Sequence, residues 1–136
     1  SENESYARVA VATFISRLNP TLEEIADIKT AVSEAVTNAI IHGYEGMENG
    51  VIELYAVIEQ RRLMVQISDF GRGIENVAQA RTPFYTSRPE LERSGMGFTV
   101  MESFMDKVEL KRNKKNGVTV FMEKNINKIN LQVLGA

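Results

Sequence analysis

The first third of the chain shows two successive helical patterns. Apolar residues recur every three or four positions from Ser5 to Leu18, and an Asn-Pro pair ends this run. A second run begins after Thr21, a predicted N-cap whose capping box Glu24 completes. Its broad apolar stripe ends near Gly43 or Gly46, so the pattern predicts a second helix of about 22 residues.

The remainder alternates like strands, with one further helix. Val51–Glu59 and Leu63–Ser68 predict a hairpin, Gly97–Met105 a short helix, and Lys107–Lys111 with Val118–Glu123 a second hairpin. The order α-α-β-β-loop-α-β-β indicates the α/β (α+β) class. We expect a two-layer α/β sandwich, with a mixed, mainly antiparallel sheet covered on one face by helices.

Composition narrows the possible functions. A length of 136 residues favours one domain spanning residues 1–136, and a net charge of −2 gives no basic field for nucleic acid. The absence of cysteine excludes disulfides and zinc–thiolate sites, and the single histidine excludes a multi-histidine metal site. No apolar run approaches the roughly 20 residues of a membrane span. We therefore expect a cytoplasmic protein.

The second helix carries an unusual pair, Glu34 and Asn38. A spacing of four places both side chains on one helical face, about 5–6 Å apart at Cβ. The carboxylate can accept a proton, and the amide oxygen can ligate a hard cation such as Mg²⁺. Asparagine is unfavourable inside a helix because it competes for backbone hydrogen bonds. The pair is either part of a solvated face or half of a reactive site.

Two glycine-containing segments favour the reactive site. Asp69-Phe70-Gly71-Arg72-Gly73 follows a predicted strand directly, where Asp69 could accept a hydrogen bond from the exocyclic amine of adenine. Arg93-Ser94-Gly95-Met96-Gly97 precedes the third predicted helix, where free amides and the helix dipole favour phosphate. Each motif alone is equally typical of an ordinary turn or loop. Neither a dinucleotide-binding fingerprint nor a P-loop is present.

Together the three segments describe one ligand, because they supply a metal and proton site, a base site and a phosphate site in that order. Their sequences resemble the three ATP-binding boxes of the GHKL ATPase superfamily, which includes gyrase, Hsp90, MutL and histidine kinases. The segments around residues 31–45 and 89–99 are closest to the anti-sigma serine kinases of spore-forming bacteria, in particular the anti-sigma F group. The resemblance implies the Bergerat ATP-binding fold, with a first strand upstream of Ser1.

The resemblance also assigns roles to individual residues. Glu34 would be the general base, Asn38 the Mg²⁺ ligand, and Arg93 would approach the γ-phosphate. Residues 82–97 would form a lid over the nucleotide. The residues that would bind ATP or ADP are Asp69, Gly71, Gly73, Ser94, Gly95, Met96, Gly97 and Thr119. Thr119 would support the adenine contact through its hydroxyl or through a water.

The implied function is that of an anti-sigma factor and protein serine/threonine kinase. It would inhibit a sporulation sigma factor, sigma F, and use Mg·ATP to phosphorylate a serine of the anti-anti-sigma factor. A homodimer is implied, with no direct contact to nucleic acid or membrane. The alternatives are a general-stress (sigma B type) kinase, a nucleotide-dependent sequestering module without efficient transfer, and an isolated ATPase or histidine-kinase-type domain.

Overall fold

A computed structural model of the chain describes residues 2–43, 50–70, 97–113 and 117–127. Helix α1 spans Glu2–Ile15 and tightens into a 3₁₀ turn over Ser16–Leu18. Asn19 then adopts a left-handed conformation, with φ 50° and ψ 57°, and its N–H donates to the Ser16 carbonyl. Asparagine tolerates this conformation well. The predicted first helix is therefore confirmed, with an earlier start and a tighter last turn.

Helix α2 spans Leu22–Asn38 and begins with the predicted capping box. The Thr21 hydroxyl accepts from the Glu24 N–H at 3.0 Å, and the Glu24 carboxylate accepts from the Thr21 N–H at 2.8 Å. These two bonds satisfy amides that the first turn of a helix leaves without an intrahelical partner. The start of α2 is thus fixed by its own sequence.

The end of α2 differs from the prediction. The α-helix stops at Asn38, and Ala39–Gly43 continues as a wider π-helical segment. Ile40 and Ile41 are β-branched side chains that crowd a regular α-turn. The helical path therefore reaches Gly43 as expected, but the last turn does not keep α-helical hydrogen bonding. π-helical segments are rare and frequently occur at functional sites.

The described strands form one antiparallel sheet. Strands β1 (Glu53–Glu59) and β2 (Arg62–Ser68) make the first hairpin, and helix α3 (Gly97–Phe104) precedes β3 (Lys107–Arg112) and β4 (Val118–Asn125). The strand order is β1-β2-β4-β3, and every pairing between these strands is antiparallel. The expected parallel component of a mixed sheet is not found among the residues described. Pairing of β2 with β4 joins the two hairpins.

The helices cover one face of this sheet, which confirms the two-layer fold. Alternate strand residues enter a core shared with α1, α2 and α3, whereas Tyr55 on the other face is 64% exposed. The core side chains that lie at the centre of the two layers are Ile15, Ile28, Val32, Val36, Leu63, Val65, Ile67, Met101 and Met122.

A polar contact joins the start of α2 to the end of β4. The Glu24 carboxylate accepts a second hydrogen bond from the Asn127 N–H at 2.7 Å, and Lys124 lies 3.7 Å from Asp27. The Asn127 side-chain amide donates to the Asn19 carbonyl at 2.7 Å. Burial alone raises the Glu24 pKa, but the hydrogen bonds from Thr21 and Asn127 and the charge of Lys124 outweigh it, so the pKa is lowered overall.

In the described ranges, no helix combines the length and the apolar character that a membrane crossing requires.

We expect Glu24→Gln to weaken the acid dependence of stability. A lowered folded-state pKa adds stability above the unfolded value, and this stability is lost as pH falls through the folded value. Glutamine also keeps a single acceptor oxygen for the N–H groups of Thr21 and Asn127. Thermal unfolding followed from pH 7 to below the ordinary glutamate pKa should therefore show a lower midpoint at pH 7 and a flatter acid decline. The exposed neighbour variant Glu23→Gln is the control, and an unchanged Glu24→Gln profile would contradict this account.

Candidate functional site

Glu34 and Asn38 lie on the last turns of α2, where they meet the first residue of α3. A Cβ atom placed on Gly97 would lie 2.9 Å from Asn38 Nδ2 and 3.4 Å from Glu34 Oε2. Separations below about 3 Å are steric overlap, so only glycine permits this approach without displacement. The structure therefore brings together three of the residues predicted for the site, although 59 positions separate Asn38 from Gly97 in sequence.

The Asn38 side chain carries an acceptor that has no partner among the described residues. Its Oδ1 atom is buried and accepts no hydrogen bond within the described structure. A buried amide oxygen without a partner is costly, and such groups are typically retained for a ligand or ion. Amide oxygen is a ligand type that Mg²⁺ accepts. The residue present at this position therefore fits a cation that is shared with a bound phosphate.

No group of three or more acidic, histidine or cysteine side chains suited to a metal occurs among the described residues. Mg²⁺ usually retains several waters and takes only one or two protein ligands together with substrate phosphates. A single asparagine oxygen agrees with that mode of binding and differs from an all-protein cage.

Asp69 and Thr119 lie at the end of the sheet where β2 finishes and β4 begins. They are 5% and 6% exposed, and the Asp69 N–H donates to the Val118 carbonyl at 3.0 Å. Thr119 is the cross-strand partner of Ser68, and their hydroxyl oxygens are 2.8 Å apart. The structure thus places these two predicted adenine-site residues in one small network.

Ser68 and Asn113 belong to this network but were not predicted as site residues. Asn113, which follows β3, donates from its side-chain amide to the Asp69 carbonyl at 2.7 Å. The contact of Ser68 with Thr119 and that of Asn113 with Asp69 both depend on the pairing of β2 with β4, which connects residues far apart in sequence. The signal that could have identified Asn113 is its position four residues before a glycine in the second hairpin.

The other predicted site residues lie outside the described structure. They are Gly71, Gly73, Arg93, Ser94, Gly95 and Met96, together with the lid proposed for residues 82–97 apart from Gly97.

Comparisons with known proteins agree with these features. Residues 2–124 match the family described as "Histidine kinase-like ATPase domain". A protein of Clostridium novyi named anti-sigma F factor is 57% identical over 129 residues, which is 95% of this chain and 90% of that protein. The anti-sigma F factor of Clostridium acetobutylicum is 62% identical over 124 residues, 91% of this chain and 86% of that protein.

A solved structure agrees on the fold. The catalytic domain of the histidine kinase ThkA superposes with a TM-score of 0.61 at 22% identity, covering 75% of this chain and 68% of that one. At this identity the likeness concerns the fold alone. Taken with the extensive identity to the clostridial proteins, the chain belongs to the anti-sigma F factor family, within the histidine kinase-like ATPase domains.

Proposed function

We propose that this chain binds Mg·ATP at the site described above, inhibits sigma F and phosphorylates a serine of the anti-anti-sigma factor. The observation that carries the proposal is the contact between Glu34, Asn38 and Gly97, with Asn38 Oδ1 buried and without a partner in the described structure. A pure scaffold has no need for an unsatisfied acceptor beside a carboxylate and a helix start. A phosphoryl-transfer site needs all three.

The phosphates would lie at the start of α3. The amides of a first helical turn have no intrahelical partners, and the positive end of the helix dipole favours anions. Bound Mg²⁺ would neutralise charge on the phosphate oxygens. Asn38 Oδ1 would hold that ion, while Gly97, which has no side chain, lets the helix start approach Asn38 and Glu34 closely.

Glu34 is suited to the role of general base. Its carboxylate lies on the same face as Asn38, one helical turn earlier, and would accept the proton of an incoming serine hydroxyl. Phosphoryl transfer depends mainly on positioning and charge stabilisation, so the protein needs to supply only one well-placed proton acceptor. Serine as the acceptor is the expectation that the family resemblance provides.

The base of the nucleotide would lie near Asp69 and Thr119. The buried Asp69 carboxylate would accept a hydrogen bond from the adenine amine. The start of α2 contacts the end of β4 through Glu24 and Asn127. Helix geometry carries Asn38 about 21 Å from Glu24, and strand geometry carries Thr119 about 20 Å from Asn125. Both groups therefore lie about 20 Å from that contact.

The partners proposed here follow from the family. The relatives are named anti-sigma F factors, so we assign sigma F as the inhibited partner and an anti-anti-sigma protein as the phosphorylated one. A cytoplasmic homodimer completes the proposal. The test incubates the chain with γ-labelled ATP and candidate anti-anti-sigma proteins and maps the labelled residue. We expect phosphoserine on the anti-anti-sigma protein; labelled histidine, or stable binding without transfer, would contradict the kinase assignment.

We expect Glu34→Gln to retain ATP binding and to lose transfer. The amide preserves shape but cannot take a proton, so the transfer rate should fall by about 10²–10⁴-fold, measured as phosphoserine formed per minute. Glu23→Gln, an exposed substitution in the first turn of the same helix, is the matched control. Transfer at the wild-type rate would exclude Glu34 as the base.

We expect Asn38→Ala to remove the Mg²⁺ dependence of ATP binding. Calorimetric titrations with and without Mg²⁺ should show that the ion raises the affinity of the wild type for ATP. In the presence of Mg²⁺, the alanine variant should bind ATP at least about tenfold more weakly than the wild type. Asn38→Asp keeps an oxygen ligand and is the conservative comparison. Undiminished Mg·ATP affinity in Asn38→Ala would count against the metal assignment.

A further inference from the structure

We propose that Asn113 is a positioning residue for adenine recognition. It acts by holding the backbone from which the Asp69 side chain projects. The inference rests on the proposed function, because it assumes that Asp69 receives the adenine amine. Asn113 lies directly after β3, at the start of the turn of the second hairpin, and contacts the chain where β2 ends. It therefore connects two segments that lie 44 positions apart in sequence.

The Asn113 side chain uses both of its ends. Its amide nitrogen donates to the Asp69 carbonyl at 2.7 Å and lies 3.4 Å from Thr119 Oγ1. Its carbonyl oxygen accepts from the Gly117 N–H at 3.0 Å. An amide side chain has two N–H donors and one acceptor oxygen, so few other residues could make this set of contacts.

Gly117 makes the close approach possible. A Cβ atom there would lie 1.9 Å from the Asp69 carbonyl oxygen and 2.7 Å from Phe70 Cα. These atoms are backbone and cannot move aside as a side-chain end could. The hairpin is therefore in direct contact with the segment that carries Asp69, and Asn113 is hydrogen-bonded to both sides of that contact.

The remaining contacts explain why this arrangement affects recognition. The Asp69 N–H donates to the Val118 carbonyl, and the Asn113 amide donates to the Asp69 carbonyl, so both backbone polar groups of Asp69 are bound by the second hairpin. Thr119 Oγ1 contacts the Ser68 hydroxyl on one side and Asn113 on the other. With its backbone fixed on both sides, Asp69 projects its side chain from one fixed Cα position, and such preorganisation favours selective hydrogen bonding.

The consequence is a base preference that depends on Asn113. Adenine presents an amine that a carboxylate can accept, whereas hypoxanthine presents a carbonyl oxygen at the same place, which a carboxylate repels. A site built around a hydrogen bond discriminates strongly against the analogue that lacks it. Loosening Asp69 should therefore weaken ATP binding while it leaves ITP binding nearly unchanged.

The experiment measures the dissociation constants of ATP and ITP, each with Mg²⁺, for the full chain and for Asn113→Ala. We expect the wild type to prefer ATP, and we expect the variant to reduce that preference by about fivefold, the factor that one hydrogen bond contributes. Asn113→Asp, which keeps the acceptor but not the donor, should behave like the alanine variant. Asn125→Ala, at the exposed far end of β4, is the matched control.

The outcomes separate the two levels of the argument. A wild type that fails to bind ATP, or that binds ITP equally well, would overturn the proposed adenine site and this inference with it. A wild type that prefers ATP, with the same preference in both Asn113 variants, would overturn the inference alone. An equal loss of affinity for ATP and ITP, with a lowered unfolding temperature, would assign Asn113 a structural role only and would likewise overturn it.

Discussion

The close approach of α3 to the last turns of α2 is the constraint on which the candidate site depends. Gly97 lies against the side-chain ends of Asn38 and Glu34, so a Cβ atom there would displace the Asn38 amide. Because of this approach, a helix start, a carboxylate and an amide oxygen that has no partner in the described part of the chain occupy one small region. The core supports the same arrangement, since Met101 of α3 is fully buried in the cluster that contains Val32 and Val36 of α2. Packing and chemistry therefore require the same placement of α3.

The sheet supplies a second fixed point. Pairing of β2 with β4 places Ser68 opposite Thr119 and leaves Asp69 at the sheet end, where the second hairpin binds its backbone. This end of the sheet is polar but buried, which is costly unless the groups are hydrogen-bonded. The network among Ser68, Thr119 and Asn113 meets that requirement within the protein. The backbone of Asp69 is thus held at the end of the sheet by the second hairpin.

Local patterns predicted a large part of this structure. The helices, both hairpins and the capping box at Thr21 follow from periodicity and from a three-residue spacing, which are local properties of the chain. The Glu34 and Asn38 pair was also evident, because an asparagine inside a helix needs a reason. The change to π-helical geometry after Asn38 was not predicted, since the apolar periodicity continues unchanged into Ala39–Gly43.

The features that could not be predicted from the sequence depend on long-range contacts. Ser68 and Asn113 gain their partners only when β2 pairs with β4, and strand order is not contained in the alternation of either strand. Thr119 was assigned to the adenine site through family resemblance alone, whereas its contact with Ser68 is seen only in the fold. The contact of Gly97 with Asn38 likewise depends on how α3 packs on α2, which no local pattern specifies.

The most direct test of a metal and phosphate site between Asn38 and the start of α3 is nuclear magnetic relaxation, with Mn²⁺ in place of Mg²⁺ and a non-hydrolysable ATP analogue. The paramagnetic ion broadens amide signals most strongly where it is closest. We expect the greatest broadening at Asn38 and Gly97 and much weaker broadening at Asn127, whose partner Glu24 lies about 21 Å from Asn38 along α2. Broadening that spares Asn38 and Gly97, or that is strongest near Asn127, would contradict a site at this position.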